Sequence, residues 1–388
     1  RTHSFPTRRS SDLVNAAASS YFYVASALGS MQVVAADGHP IEPFDLPRLL
    51  IGIAETYDLM VTMPETLTQV EVRATAHDGT GHASVWLGQG PKRLASDPPK
   101  PDIYTLDEFM AAGLASQSEE RARQAIERER PFPPYAYLRS PVVTTLVAPE
   151  DEPKVRKITM RLTGEMQRYL WGFDGKTLSE ESVIRVSQGE VLRIEFINDT
   201  MMHHPLHLHG HFFRLLNGQG EYSPLKHTVD VPPMGRRTIE WVADEEPGDW
   251  FFHCHILYHM DAGMARVFSY RELGDDHQPA FDPNMIRPRM VKIRGMVVQH
   301  MSMGMAMVME GKNDYYVRWD AAYNMHMGHM MDGHRDQEVD LGYSRYIDPN
   351  WSAFAAYRFS KVRNTRDRAV VGARYRMPYL VWTTLSAA

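Results

Sequence analysis

The segment Phe251-Phe252-His253-Cys254-His255-Ile256-Leu257-Tyr258-His259, followed by Met264, constrains this chain more than any other stretch. It holds the only cysteine of the 388 residues, set between two histidines, with a third histidine and a methionine at fixed distances after it. One thiolate, two imidazoles and a weak thioether are the donor set of a blue-copper electron-transfer site. Side chains on a strand alternate between faces. If Cys254 points one way, His253 and His255 point the other way together, so a single peptide segment can join two metal sites. The bland alternative is a histidine-rich surface patch beside a buried cysteine. It leaves the spacing of His259 and Met264 unexplained.

A second cluster, His204-Pro205-Leu206-His207-Leu208-His209-Gly210-His211, places four histidines in eight residues. His207 and His209 are two apart and share a face of a strand. His204 precedes Pro205, which favours an extended or turning backbone there, and it can reach elsewhere. In order and spacing, the two clusters together resemble the C-terminal signature of the multicopper oxidases, the laccase-like family. The CopA-like copper-resistance branch is the most similar. The resemblance implies a copper-dependent oxidoreductase. It implies that His204, Cys254 and His259 bind a type 1 copper with Met264 axial. It implies that His207 binds the type 2 copper and that His209, His253 and His255 bind the type 3 pair. His211 matches a family histidine that is not a ligand.

The family's first domain supplies two further His-x-His pairs to the trinuclear centre. Upstream of the clusters, His3, His39, His77 and His82 form no such pair, and His326 and His329 are three apart and far downstream. The expectation is a complete type 1 set, half of a trinuclear centre, and no oxidase activity from this polypeptide alone. The chain reads as the C-terminal part of an oxidase. Residues 1–13 have no apolar run of a signal peptide. They resemble a translated sequencing adapter and are expected to be a non-native leader outside the fold.

Composition sets outer limits. A length of 388 residues suggests two to three domains. A formal net charge of −6 argues against nucleic acid as a partner. No run of 18 apolar residues marks a transmembrane helix. A single cysteine excludes an intrachain disulfide, and in an exported protein a leftover cysteine can be a metal ligand. Of the 24 methionines, eleven fall between Met290 and Met331.

The expected fold class is all-β. Residues 14–90 read as short strands of a partial, middle cupredoxin-like sandwich, with Met31–Ala36 ending at an Asp37-Gly38 turn. Residues 91–150 read as a helical, Pro-rich connection, with helices at Tyr104–Met110 and Ser118–Arg130, to which no chemistry is assigned. Residues 151–273 read as a complete Greek-key sandwich that holds both histidine clusters. Residues 274–311 read as a methionine-rich linker in which Met301, Met303, Met305, Met307 and Met309 alternate strictly. Thioethers favour Cu(I), so with Met325, His326, Met327, His329, Met330, Met331 and His334 this region reads as copper-collecting. It reads equally as an apolar strand face or a flexible loop. Residues 312–388 alternate apolar and polar residues in strands of about ten, the signature of an outer-membrane barrel. About five strands are expected, too few to close. This tail resembles the barrel-like extension of some copper-resistance oxidases, or the outer-membrane proteins that work with them.

The resemblance implies one-electron oxidation of a small reducing substrate, Cu(I) or a phenol, coupled to four-electron reduction of dioxygen to water. His259 or His204, as the more exposed kind of ligand, is the expected point of electron intake, with Cys254 leading to His253 and His255. The methionine-rich segment favours Cu(I). The resemblance implies a copper-resistance role and a periplasmic location, and the barrel-like tail adds an expected outer-membrane association. Two other classes remain: a non-catalytic copper-binding or electron-transfer protein, and a copper-sequestration protein.

Overall fold

The computed structural model describes residues 8–65, 68–98, 116, 118–127, 133–146, 154–166, 168–274, 276–277, 282, 289–299, 301–323, 335–348, 350–362, 364–377 and 382–387. The chain divides into two units, Arg1–Gly164 with Trp171–Asn284, and Glu165–Leu170 with Met285–Ala388.

The first unit opens with nine strands: β1 (Arg8–Val14), β2 (Phe22–Ser26), β3 (Met31–Ala36), β4 (His39–Leu46), β5 (Arg48–Ile51), β6 (Thr56–Thr62), β7 (Gln69–Ala76), β8 (His82–Gly88) and β9 (Lys92–Arg93). They form two sheets, ordered β1-β6-β3-β4 and β5-β2-β7-β8, with β9 beside β7. Alternation drives the packing: Tyr57, Leu59 and Val61 of β6 are buried while the residues between them are not. Asp37 and Gly38 both have positive φ, the backbone of a tight hairpin turn between β3 and β4. Strand β1 starts inside the segment expected to lie outside the fold and pairs along its length with β6. An edge strand is held by backbone ladder bonds, so it needs no hydrophobic pattern to mark it.

In the connection, α1 (Glu119–Glu127) falls within the expected helix, and a 3-10 turn, Tyr135–Tyr137, follows. The helix expected at Tyr104–Met110 lies outside the described residues.

The second sandwich contains β10 (Arg156–Glu165), β11 (Leu170–Phe173), β12 (Val183–Val186), β13 (Val191–Asn198), β14 (His204–Leu208), β15 (Phe213–Leu215), β16 (Leu225–Lys226), β17 (Thr228–Val231), β18 (Arg236–Val242) and β19 (Asp249–Cys254). The one-turn helix α2 (Leu257–Asp261) and β20 (Ala265–Tyr270) complete it. Its sheets are ordered β11-β10-β13-β18-β15-β16 and β12-β20-β19-β14-β17. Along β13, Leu192, Ile194 and Phe196 are buried; Phe196 stacks on Phe252 of the other sheet, which meets Phe268, and Phe268 in turn meets Trp241.

The second unit is a seven-stranded antiparallel meander: β21 (Arg289–Val298), β22 (Met301–Glu310), β23 (Asn313–Tyr323), β24 (Arg335–Tyr346), β25 (Trp351–Ser360), β26 (Arg368–Arg376) and β27 (Trp382–Ala387). The methionine-rich run is therefore a strand rather than a linker. Strict alternation gives it one chemical face, and its neighbours on both sides supply ladder partners. Including β21 and β22 raises the strand number above the five expected. The sheet is open: among the described residues, β21 pairs only with β22 and β27 only with β26. Its polarity is inverted relative to an ordinary soluble sheet. One face exposes Val291, Ile293, Tyr315, Val317, Leu341 and Leu385. The other covers Asp314, Asp340, Ser344 and Ser352. Buried charge on that side is paired, with Arg168 2.7 Å from Asp314 and Arg358 2.7 Å from Asp340. No described helix is long and apolar enough to cross a membrane, which says nothing of crossing by strands.

Candidate metal centre

Strands β14 and β19 are antiparallel neighbours, with Leu206 opposite Cys254, His207 opposite His253, and Leu208 opposite Phe252. Residues directly opposed point to the same side. Cys254 therefore shares a face with Leu206 and His204, while His207 and His253 share the reverse face. Helix α2 folds back after β19 and returns His259 to the cysteine side. The result is a three-donor group in which His204, Cys254 and His259 are all buried.

The geometry fits a trigonal metal. Cys254 Sγ lies 3.6 Å from His204 Nδ1 and 3.7 Å from His259 Nδ1, and the two nitrogens are 3.2 Å apart. Metal–nitrogen and metal–sulfur bonds of about 2.0 and 2.3 Å, spread trigonally, separate N from S by about 3.7 Å. Met264 is fully buried, and its main chain is tied to the group at both ends. Its N–H donates to the His259 carbonyl, and its carbonyl accepts the Cys254 N–H, each at 3.0 Å. Two imidazoles and a thiol with a methionine alongside are a soft set that suits copper.

Electrostatics prepare the donors. Burial pushes the His204 imidazole well below its ordinary range and His259 down to about 4, so both are neutral, the form that binds metal. Burial pushes the Cys254 thiol up, and a coordinated cation reverses this by stabilising the thiolate. The outer nitrogen of His204 is held in turn. Its Nε2 lies 2.8 Å from Thr200 Oγ1, which donates to Asn198 Oδ1 at 2.9 Å. Asn198 then donates to the Met202, Val231 and Pro232 carbonyls. Such a chain fixes ring orientation and tautomer.

On the reverse face four histidines gather. Ring centroids are 4.8 Å apart for His207 and His209, 5.2 Å for His209 and His253, 5.2 Å for His253 and His255, and 5.8 Å for His207 and His255. His207 Nδ1–H donates to the His227 carbonyl and His253 Nδ1–H to the Cys254 carbonyl, each at 2.9 Å. A carbonyl can only accept, so in both rings Nε2 carries the lone pair that can bind a metal, and that of His253 lies 3.1 Å from His209 Nε2. Among the described residues, His255 Nδ1 is buried and bonds nothing outside its own residue. Burial, the largest cause in each, lowers His207 to about 4 and His253 to about 3, and also depresses His209 and His255. His211 is packed between Trp241 and Trp250, and its Nδ1–H donates to the His209 carbonyl.

One expectation is overturned. Neither His204 nor His259 is exposed: they retain 0% and 1% of their accessible surface. His259 is capped by Trp171, stacked on its ring at 3.9 Å, because β11 crosses behind α2. Trp171, Thr200 and Asn198 carry no motif that would have marked them. His227, outside both clusters, positions His207 through its main-chain carbonyl. His203 Nδ1 lies 2.8 Å from Asp230, which also accepts the Tyr21 hydroxyl at 2.6 Å. His3, His326, His329, His334 and the methionines at 325, 327, 330 and 331 lie outside the described residues.

Two family models described as multicopper oxidase match the chain, one over residues 9–87 and the other over residues 151–273, together more than half of it. A copper resistance protein A homolog of Pseudomonas syringae pv. tomato is 30% identical over 324 residues, covering 67% of this chain and 54% of that protein. The multicopper oxidase MmcO of Mycobacterium tuberculosis is 31% identical over 267 residues, covering 66% and 45%. Among solved structures, the L499M mutant of the laccase from B. aclada aligns with a TM-score of 0.54 at 18% identity, covering 72% of this chain and 54% of that one. That likeness establishes the fold. The chain spans about half the length of the relatives it matches.

Proposed function

The chain belongs to the multicopper oxidase family, and we propose that it is the part of such an oxidase that takes electrons from Cu(I) and passes them toward a dioxygen-reducing centre. In this reading His204, Cys254 and His259, with Met264 beside them, would hold a type 1 copper. His207 is a type 2 ligand, and His209, His253 and His255 are type 3 ligands, half of the trinuclear set. Copper held by the first set would supply one-electron oxidation of the substrate, and the second set would contribute its half of the ligands to the centre that reduces dioxygen to water. The observation that carries the reading is the back-to-back arrangement of two ligand sets on one strand. Cys254 is covalently joined through single peptide bonds to His253 and His255, so the buried donor group and the histidine face are linked by the shortest route a chain offers.

The choice of Cu(I) as reductant is supported by exposed thioethers at the rim. Met201, Met202 and Met234 are 40%, 36% and 41% exposed. The Met202 N–H donates to Thr200 Oγ1 and the Met234 N–H to the Thr200 carbonyl. Thr200 in turn touches the outer nitrogen of His204. Soft sulfur ligands recruit Cu(I), and the main chains of Met202 and Met234 are tied to the threonine that holds the outer nitrogen of His204. With this substrate the role is copper resistance, in keeping with the name of the Pseudomonas relative, and the location is periplasmic. The inverted polarity of the β21–β27 sheet, apolar outside and charged within, supports outer-membrane association of the tail.

Visible and EPR spectra during copper titration of the whole chain test the first claim. An intense blue thiolate-to-Cu(II) band with a narrow hyperfine splitting, absent in Cys254→Ser, is expected. Copper bound only as an ordinary nitrogen and oxygen complex sinks the type 1 assignment. For the substrate, Met202→Leu/Met234→Leu is expected to slow bleaching of the blue band by Cu(I) and not by a phenol. Equal rates with Cu(I) in both proteins reject Cu(I) docking at this rim.

A further inference from the structure

Strand β22 carries Met301, Met303, Met305, Met307 and Met309 at every second position, on one face of the second unit's sheet. The register identifies what stands beside each. Met303 is directly opposite Met296 on β21 and Asp320 on β23, and the same row continues to Glu338 on β24. Met305 is opposite Arg294 and Arg318, and Met307 is opposite Lys292. Met309 is opposite Met290 and Asp314, but Asp314 is neutralised by Arg168 at 2.7 Å. Met301 is opposite Val298 and Ala322. Two of these rows, those of Met303 and Met309, set two facing thioethers beside a carboxylate with no directly opposed cation, and in the Met309 row that carboxylate is already held by Arg168.

Directly opposed side chains have Cβ atoms about 4.5–5.5 Å apart. Methionine is unbranched with three rotatable bonds, so two sulfurs on facing positions can converge on one ion. Thioethers select Cu(I) over harder ions, and Asp320 offsets the charge of a monovalent cation that the Arg294–Met305–Arg318 row repels. Met303 is half-buried and Met296 is 46% exposed, which leaves the pair reachable from solvent. We propose that Met296 and Met303, with Asp320 beside them, form a Cu(I)-binding site on the carboxy-terminal sheet, separate from the His204–Cys254–His259 group. It stands whether or not the oxidase reading holds, because it is a binding site and involves no electron transfer.

The test is anaerobic Cu(I) titration of the full chain against a chromogenic Cu(I) chelator. Met303→Leu is expected to lose one Cu(I) equivalent, or to weaken it at least tenfold, while Met305→Leu binds as the parent does. The same number and affinity in Met303→Leu as in the parent, or an equal loss in Met305→Leu, overturns the site and leaves the methionines as packing. Should Met303→Leu fail to fold, X-ray absorption on the Cys254→Ser chain loaded with one Cu(I) decides. A shell of sulfur with at most one oxygen supports the pair, and a shell of nitrogen alone rejects it.

Discussion

Replacing Lys226 by methionine tests how the two sandwiches are locked. The Lys226 ammonium is fully buried and lies 3.1 Å from both Asp37 and Glu55, which are fully buried too. It comes from β16 of the second sandwich, whereas both carboxylates come from the first. Asp37 has other donors, the N–H groups of Thr56, His227 and Thr228. Glu55 has the Gly52 N–H and the Tyr135 hydroxyl. Methionine keeps the volume and removes the charge, leaving two carboxylates without a cation. Removing one partner of a buried ion pair costs about 3–5 kcal/mol, because the remaining charge stays desolvated. For a unit of this size the melting temperature falls by roughly 5–9 °C. Thermal unfolding followed by circular dichroism on the full chain reads this directly. Glu55 already sits above the usual carboxylate range: burial raises it, Lys226 pulls it down and Asp37 pushes it up. A raised carboxylate makes the folded state take up a proton before the unfolded state does. The deficit of Lys226→Met is thus largest at neutral pH and shrinks as pH falls through the folded value. If the cost is uncompensated charge, Lys226→Met/Glu55→Gln melts above Lys226→Met. A double variant that melts lower, or a single variant within about 2 °C of the parent, refutes the reasoning.

Three further outcomes follow from the geometry. His207 lies on the reverse face from Cys254, so His207→Ala keeps the blue band on copper loading, and a lost band contradicts the division of the clusters. Gly210 has φ +71° and a Cβ there would stand 2.1 Å from the Trp250 ring, so Gly210→Ala lowers stability by about 1–3 kcal/mol; an unchanged urea midpoint opposes this. Burial would raise the Glu71 carboxyl, but bonds from Arg73, Ser84 and the Ala95 N–H outweigh it and hold it down at about 2. Its contribution is full above the unfolded value of about 4.3 and is lost as pH falls toward 2, by up to about 1.4 kcal/mol per pH unit. Denaturation at pH 5 and pH 3 should show Glu71→Gln losing less stability than the parent, and equal losses would exclude the effect.

The sequence by itself determined what local periodicity can carry. Alternation around Cys254 assigned it one face and His253 and His255 the other, since a strand's side chains alternate whatever surrounds it. The same rule put five methionines of β22 on one face before any partner was known. Tertiary structure decided everything that depends on which strand lies beside which. The Leu206–Cys254 register, 48 positions apart in sequence, is what turns two separate motifs into one donor group. Burial of His204 and His259 beneath Trp171 comes from β11, which carries no motif, and so the expectation of an exposed ligand failed. Lys226 looks like an ordinary surface lysine in the sequence; only docking of the two sandwiches desolvates it against Asp37 and Glu55. Likewise alternation gave the last sheet two unlike faces, but only cross-strand pairing showed that the charged face is the covered one. Periodicity is written in neighbours along the chain, whereas burial and charge pairing are set by residues far apart in it.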